Sequence, residues 1–245
     1  TWAGNSREHR LTPWSNDPVG DRSGEAIYVR DDDSGLLFGP TALPVRKASG
    51  HYLARHGRGY SRFEHTRADI AFDLLQFVPG DEPVKVSRLR IHNLSGRTRH
   101  LTLTAYVEWV LGTSRSSTAP FVATEIDPVT GGMLARNLWA GTETRVAFTD
   151  LGGLQTAWTG NRMEFIGRNG TLERPAALAT GVKLSGRTGA GLDPCGALQT
   201  SVVLAAHASV ELVWLLGEAG TTQAAQAMIA RWRGEDVDVA LQSVR

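Results

Sequence analysis

Apolar and polar residues alternate along most of this chain with a period of two, in short runs. Leu101, Leu103, Ala105, Val107 and Trp109 interleave with Thr102, Thr104, Tyr106 and Glu108, the pattern of a strand with one buried face. Upstream the apolar positions are Val84 and Val86, then Leu89 and Ile91, so the phase slips by one residue around Ser87-Arg88. A β-bulge there restores a single inward face. Between these runs, Asn93-Leu94-Ser95-Gly96 reads as a hairpin connection with glycine at a positive φ. Further strands are predicted over 26–30, 61–66, 70–77, 121–126, 133–136, 145–149, 155–158, 162–165, 182–184, 199–204 and 210–215. The segments 127–132 and 206–208 read as turns between neighbouring strands.

The pattern changes near residue 220. Ala225, Met228, Ile229 and Trp232 fall at helical spacing, with Thr221 or Thr222 as N-cap and Gly234 as the stop. Val237, Leu241 and Val244 continue that spacing. No helical crossover precedes this point, so the sheets are antiparallel rather than parallel. The predicted fold is mainly β: a large antiparallel two-sheet sandwich over 1–219, then a helical segment over 220–245.

Composition removes several function classes. The 26 basic and 25 acidic residues are interspersed and leave a net charge of +1, with no basic stripe, so no nucleic-acid partner is expected. The longest apolar region, 202–216, is interrupted by His207, Ser209 and Glu211 and falls short of the roughly 20 residues of a membrane helix, so no direct membrane insertion is expected. Cys195 is the single cysteine, with no zinc-finger spacing and no neighbouring base, and reads as structural. The sequence begins at Thr1 and stops at Arg245 inside a helical pattern, so a piece of a longer protein is expected.

The stretch 4–19, GNSREHRLTPWSNDPV, has no apolar period and concentrates hydrogen-bonding side chains around one flat aromatic, stiffened by two prolines. Aromatic faces stack on the C–H faces of sugars, while Asn, Asp and Arg supply directional bonds to hydroxyls. Arg7, Arg10, Trp14, Asn16 and Asp17 are therefore the candidate ligand residues. The alternative is a proline-braced loop that ties a terminus to the fold. Glu8, Asp17, Glu25, Glu64, Glu108 and Glu125 are each candidate acids, but Glu64 and Glu108 keep the polar phase of strands and read as structural. Asp31-Asp32-Asp33-Ser34-Gly35 lacks the later acidic ligands of a calcium loop and reads as a solvated turn. Glu64 and His65 are adjacent on a strand and point to opposite faces, so they cannot serve one sugar as the acid–base pair of a mutarotase. Trp109, Trp214 and Trp232 sit in core phase, whereas Trp2, Trp14 and Trp139 lie in loops suited to ligand or domain contact.

The run 4–19 is followed by Gly24-Glu25-Ala26-Ile27-Tyr28, Gly59-Tyr60-Ser61-Arg62-Phe63-Glu64-His65 and Tyr106-Val107-Glu108-Trp109-Val110-Leu111-Gly112. Then come Thr124-Glu125-Ile126-Asp127-Pro128-Val129-Thr130-Gly131, Phe165-Ile166-Gly167-Arg168-Asn169-Gly170 and Leu192-Asp193-Pro194-Cys195-Gly196-Ala197-Leu198-Gln199. This series resembles the glycoside hydrolase family 94 phosphorylases, cellobiose and chitobiose phosphorylases among them, and most closely the phosphorylase-like region of cyclic β-1,2-glucan synthases. The resemblance implies a supersandwich of the galactose-mutarotase type, followed by linker helices and an (α/α)6 barrel. In the family that barrel carries the catalytic aspartate, and inorganic phosphate replaces the activated water of an inverting hydrolase. No catalytic residue, metal or cofactor is thus assigned to this chain, and phosphate is expected at the parent's barrel. The implied role is a non-catalytic domain of a β-glucan-processing enzyme, whose 4–19 loop lines the sugar path or docks on the barrel. Implied partners are a β-glucan oligosaccharide, the barrel of the same parent and, as an open alternative, a second copy in a homodimer. The parent is expected to be a bacterial, inner-membrane-associated protein with this domain on the cytoplasmic side. Rival readings are a docking and dimerisation module without sugar affinity, and an autonomous mutarotase-like enzyme.

Overall fold

The computed structural model describes residues 1–15, 17, 19–46, 50–139 and 145–244. In chain order its strands begin with β1 (Glu25–Asp31), β2 (Leu37–Phe38), β3 (Tyr52–Gly57), β4 (Tyr60–Arg67) and β5 (Ile70–Phe77). Next come β6 (Val84–Asn93), β7 (Arg99–Glu108), β8 (Val122–Ile126) and β9 (Met133–Asn137). The last are β10 (Val146–Asp150), β11 (Ala157–Asn161), β12 (Pro194–Leu204) and β13 (Ser209–Ala219). The helices are α1 (Arg115–Thr118), α2 (Arg162–Ile166), α3 (Thr222–Gly234) and α4 (Val237–Val244). A five-stranded sheet runs β11-β12-β7-β1-β2 and an eight-stranded sheet runs β3-β4-β5-β6-β13-β10-β9-β8. Neighbouring strands pair antiparallel throughout, so the expected mainly β, two-sheet supersandwich is the observed architecture.

The central strands of the large sheet feed two cores, because side chains alternate across a sheet. On β5, Ile70, Phe72 and Leu74 face the other sheet, while Leu75 and Phe77 join Ile229, Trp232 and Leu241 of the C-terminal helices. The same division explains the phase slip on β6. Val84 and Val86 pack under α3 and α4, and Leu89 and Ile91 pack between the sheets. The predicted bulge is absent: Ser87 and Arg88 sit in unbroken register with Trp214 and Val213 on one side and Gln76 and Leu75 on the other. A slip in hydrophobic phase here marks a change of covering layer rather than an extra residue.

The predicted hairpin at 93–96 is also corrected. β6 and β7 belong to different sheets, so the connection is a corner, and Gly96 takes no positive φ. The 206–208 turn is the matching corner from β12 to β13, with His207 at φ 59°. Asn93, fully buried, fastens the two together. Its Nδ2 donates to the carbonyls of Arg97, Leu204 and Ala205, and its Oδ1 accepts from the amide and hydroxyl of Ser95.

The outer face of the small sheet is covered too, which makes β7 buried on both faces rather than one. The covering segment contains α2, where a strand was predicted over 162–165. Asn161 caps that helix through the Met163 amide, and Phe165 lies flat on Tyr106 with ring centroids 4.7 Å apart. The predicted strand at 182–184 is irregular, and Leu184 packs into this outer cluster. Strand β3 went unpredicted because Leu53 to Gly57 are all exposed and carry no alternation. Along one side of the sandwich the loop 185–189 closes the gap between the edges. Gly186 donates to the Trp158 carbonyl, Gly160 donates to that of Arg187, and Gly189 bridges to Thr124.

Helices α3 and α4 form as expected, with Thr221 as N-cap, and Arg233 grips the fully buried Asp150 through two bonds of 3.0 and 2.6 Å. Asp127, in the 127–132 hairpin turn, accepts from Thr130 and from Gln226 of α3. The tail is thereby a covering layer of the large sheet.

Two outcomes follow. Asn93→Ala strands three corner carbonyls and is expected to cost about 2–3 kcal/mol in urea unfolding; a loss below about 0.5 kcal/mol contradicts the corner role. His65 is buried and stacked on Tyr52 at 3.9 Å, and burial holds its imidazole below the ordinary value despite its bond to the His51 carbonyl. The unfolded chain takes up that proton first, so stability is full above about pH 6.5 and falls as pH drops through the folded value. His65→Phe is expected to flatten the stability slope below about pH 6.5. An unchanged slope excludes His65 as its source.

Candidate ligand-binding end of the sandwich

One end of the sandwich gathers the finish of β7, β9 and β13 and the start of β1, and the N-terminal segment wraps over it. Arg10 exchanges two backbone bonds with Gly112, both 3.1 Å, and the Val110 amide donates to the Leu11 carbonyl at 2.9 Å. Ala3 and Leu11 drop into the inter-sheet core. Gly112 is required by close approach, since a Cβ there sits 2.7 Å from Thr118 Cγ2. Glu25 ties the wrap to both sheets: its carboxylate accepts from Thr12 at 2.9 Å and from Lys85 of β6 at 2.8 Å. Burial pushes the Glu25 carboxyl up, and the cationic Lys85 with the surrounding donors overrides it, holding it well below the usual carboxylate range.

The structure brings two of the five predicted residues together. The Arg10 guanidinium lies over the Trp14 ring, 5.7 Å from its centroid, with its Nε donating to the Ser6 carbonyl at 2.8 Å. Trp2 completes the group, 5.9 Å from Trp14. Arg7 is exposed, with its backbone amide on Asn5 Oδ1. Asp17 is exposed and shapes a turn. It accepts from the Val19 amide at 2.9 Å, and such backbone bonds hold its carboxyl below the ordinary value. Asn16, like Pro18, lies outside the described residues.

Three concavities open at this end. A hollow of about 240 Å³ is lined by Arg10, Pro13, Trp14, Arg22, Ser114 and Arg115. A cleft of about 530 Å³ is lined by Arg22, Leu43, Glu108, Arg162 and Leu172 among others. A cavity of about 400 Å³ runs between His9, Arg10 and Gly112 on one side and Phe121, Asn137, Trp139 and Glu218 on the other.

Between hollow and cleft sits a charge-balanced knot that sequence reading missed. Glu108, 9% exposed, accepts from Arg162 Nε at 2.7 Å and is ion-paired with the Arg115 guanidinium at 2.9 Å. Both guanidinium groups also meet Asp193, and the Tyr106 hydroxyl donates to Glu108. The knot joins β7, α1, α2 and the segment before β12, whose members lie too far apart in sequence for any local signal. The structural role read for Glu108 fits this arrangement. Burial pushes the neighbouring Cys195 thiol well up, which keeps it protonated and inert. The Asp31 turn departs from its reading as solvated: Asp31 is fully buried and paired with Arg99 at 2.5 Å. Glu64 and His65 do face opposite ways, Glu64 toward Arg55 and His65 into the aromatic stack.

Glu25, Glu108, Asp193 and Glu218 at this end are thus paired with cations, and aromatic and hydrogen-bonding groups line the concavities beside them. A family model for the Glycosyl hydrolase 94 supersandwich domain matches residues 1–235. The chain is 37% identical over its whole length to the cyclic beta-(1,2)-glucan synthase NdvB of Rhizobium meliloti (strain 1021), of which it covers 9%. It is 29% identical, over 85% of its length, to the N,N'-diacetylchitobiose phosphorylase of Vibrio furnissii, covering 27% of that protein. Among solved structures, a bacterial glucoamylase complexed with acarbose superposes with a TM-score of 0.58 over 90% of this chain and 30% of that one, at 8% identity. A putative kojibiose phosphorylase from the human microbiome gives 0.52 over 89% and 26%, at 7% identity. These two show the shared fold. With the two-sheet architecture and the match over nearly all its residues, the chain belongs to the glycosyl hydrolase 94 family, as its supersandwich domain.

Proposed function

We propose that this chain is the non-catalytic sandwich of a larger β-glucan-processing protein of the cyclic β-1,2-glucan synthase kind. In this reading the wrapped end, with Arg10 and Trp14 at its centre, meets the glucan and seats the domain against a catalytic barrel of the same parent. The observation that carries it is the Arg10–Trp14–Trp2 group, held rigidly by the Gly112 bridge beside two concavities. A pyranose presents apolar C–H faces and equatorial hydroxyls, and a braced indole next to a guanidinium matches both at small entropic cost.

The engaged carboxylates support the non-catalytic part. A general acid needs a carboxyl held protonated near neutral pH. Glu25 is drawn the opposite way by Lys85, and Glu108 is neutralised by two guanidinium groups. The acid and the inorganic phosphate are therefore assigned to the parent's barrel. The size relation agrees, since the chain spans 9% of the glucan synthase and 27% of the diacetylchitobiose phosphorylase it matches.

Calorimetric titration with β-1,2-gluco-oligosaccharides is expected to give heat of binding, with the affinity weakened at least fivefold by Trp14→Ala and by Arg10→Ala. No heat with the unaltered chain favours the docking module. Anomer interconversion catalysed by the chain alone favours the mutarotase-like reading.

A further inference from the structure

The 400 Å³ cavity on the far side of Arg10 has its own aromatic wall. Phe121 and Trp139 stack with centroids 4.9 Å apart and planes inclined by 29°. Phe121 covers one face of Trp139 while the residue as a whole stays 74% exposed. Its backbone is also braced. The Trp139 amide donates to Asn137 Oδ1 at 3.0 Å, and Asn137 Nδ2 donates to the Leu111 carbonyl at 2.9 Å, fixing the platform to the turn after β7. A braced tryptophan with one face toward water, at the rim of a cavity, is a surface prepared for a flat ligand face.

The rest of the lining limits the ligand's charge. Among the described lining residues, Glu8 and Glu218 stand beside Arg10 and Arg145, and Arg145 Nη1 donates to Glu218 Oε2 at 3.2 Å. Such a lining favours neither an anion nor a cation. His9, Thr113 and Ser117 add groups that both donate and accept, as hydroxyl-bearing ligands require. The volume lies within the range of small-molecule sites, roughly 300–1,000 Å³.

We propose that this cavity is a second carbohydrate subsite. It takes a neutral pyranoside with one ring on the open face of Trp139 and hydroxyls on the Glu218–Arg145 pair. The proposal rests on the glucan-binding reading of the domain and adds a contact point to it. Arg10 lines both this cavity and the hollow at Trp14, so one oligosaccharide can engage both.

The test uses the 245-residue chain and β-1,2-glucotriose. Indole N–H resonances are followed by two-dimensional NMR, with Trp139 assigned through Trp139→Phe. The expected result is a saturable shift of the Trp139 resonance and at least a fivefold loss of affinity in Trp139→Ala. Trp139→Phe is expected to recover part of that loss, and Trp14→Ala to leave the Trp139 shift in place at higher sugar concentration. The side chain is exposed, so an unchanged melting temperature checks that both Trp139 variants fold. Should sugar bind with unchanged affinity to Trp139→Ala while Trp14→Ala abolishes binding, the second subsite is refuted and the broader reading stands. Should the unaltered chain bind no sugar, both fall together.

Discussion

The eight-stranded sheet must bury both of its faces, and the rest of the structure depends on how it does so. One face packs on the smaller sheet through residues such as Phe72, Leu89 and Trp214, and the other packs on α3 and α4 through Phe77, Val86 and Leu215. Where the helices do not reach, the outer face carries ion pairs across neighbouring strands, Arg62 with Asp73 and Arg90 with Glu211. Asp238 of α4 joins that layer through Arg88 and Arg90. The small sheet is covered on its outer side by the α2 segment. The concavities around Arg10 and Glu108 lie at the strand ends.

Most of the fold was legible because burial is periodic. Strands β5, β7 and β13 follow the alternation of apolar residues, and α3 follows its helical spacing from a threonine cap. The misreadings share one cause: a local pattern does not say which layer covers a residue. Val84, Val86, Leu89 and Ile91 mimic a bulge because two layers flank one strand. Asn93 to Gly96 mimic a hairpin, since the corner that Asn93 fastens is defined by carbonyls more than a hundred residues away. Residues 162–165 look strand-like until Asn161 caps them.

The candidate end was only partly legible. The 4–19 loop stands out by composition, and the structure lays Arg10 over Trp14 while giving Asp17 a turn-forming role. Trp139 stood out as a loop tryptophan, but its Phe121 partner and its Asn137 brace appear only once β8 and β9 pair. The Glu108 knot had no local signature, because Arg115 approaches it from the β7–β8 connection and Arg162 and Asp193 from opposite ends of the β11–β12 connection. For Trp139 and Glu108 the chemistry-bearing residue was visible and its partners were not.

Hydrogen–deuterium exchange of the chain with and without β-1,2-gluco-oligosaccharide tests most directly whether the wrapped end is the functional surface. The account predicts slower exchange confined to residues 1–15, 109–121 and 137–139, with the strand interiors and α3 and α4 unchanged. Protection centred on the outer face of the large sheet, or no protection anywhere at saturating sugar, would contradict it.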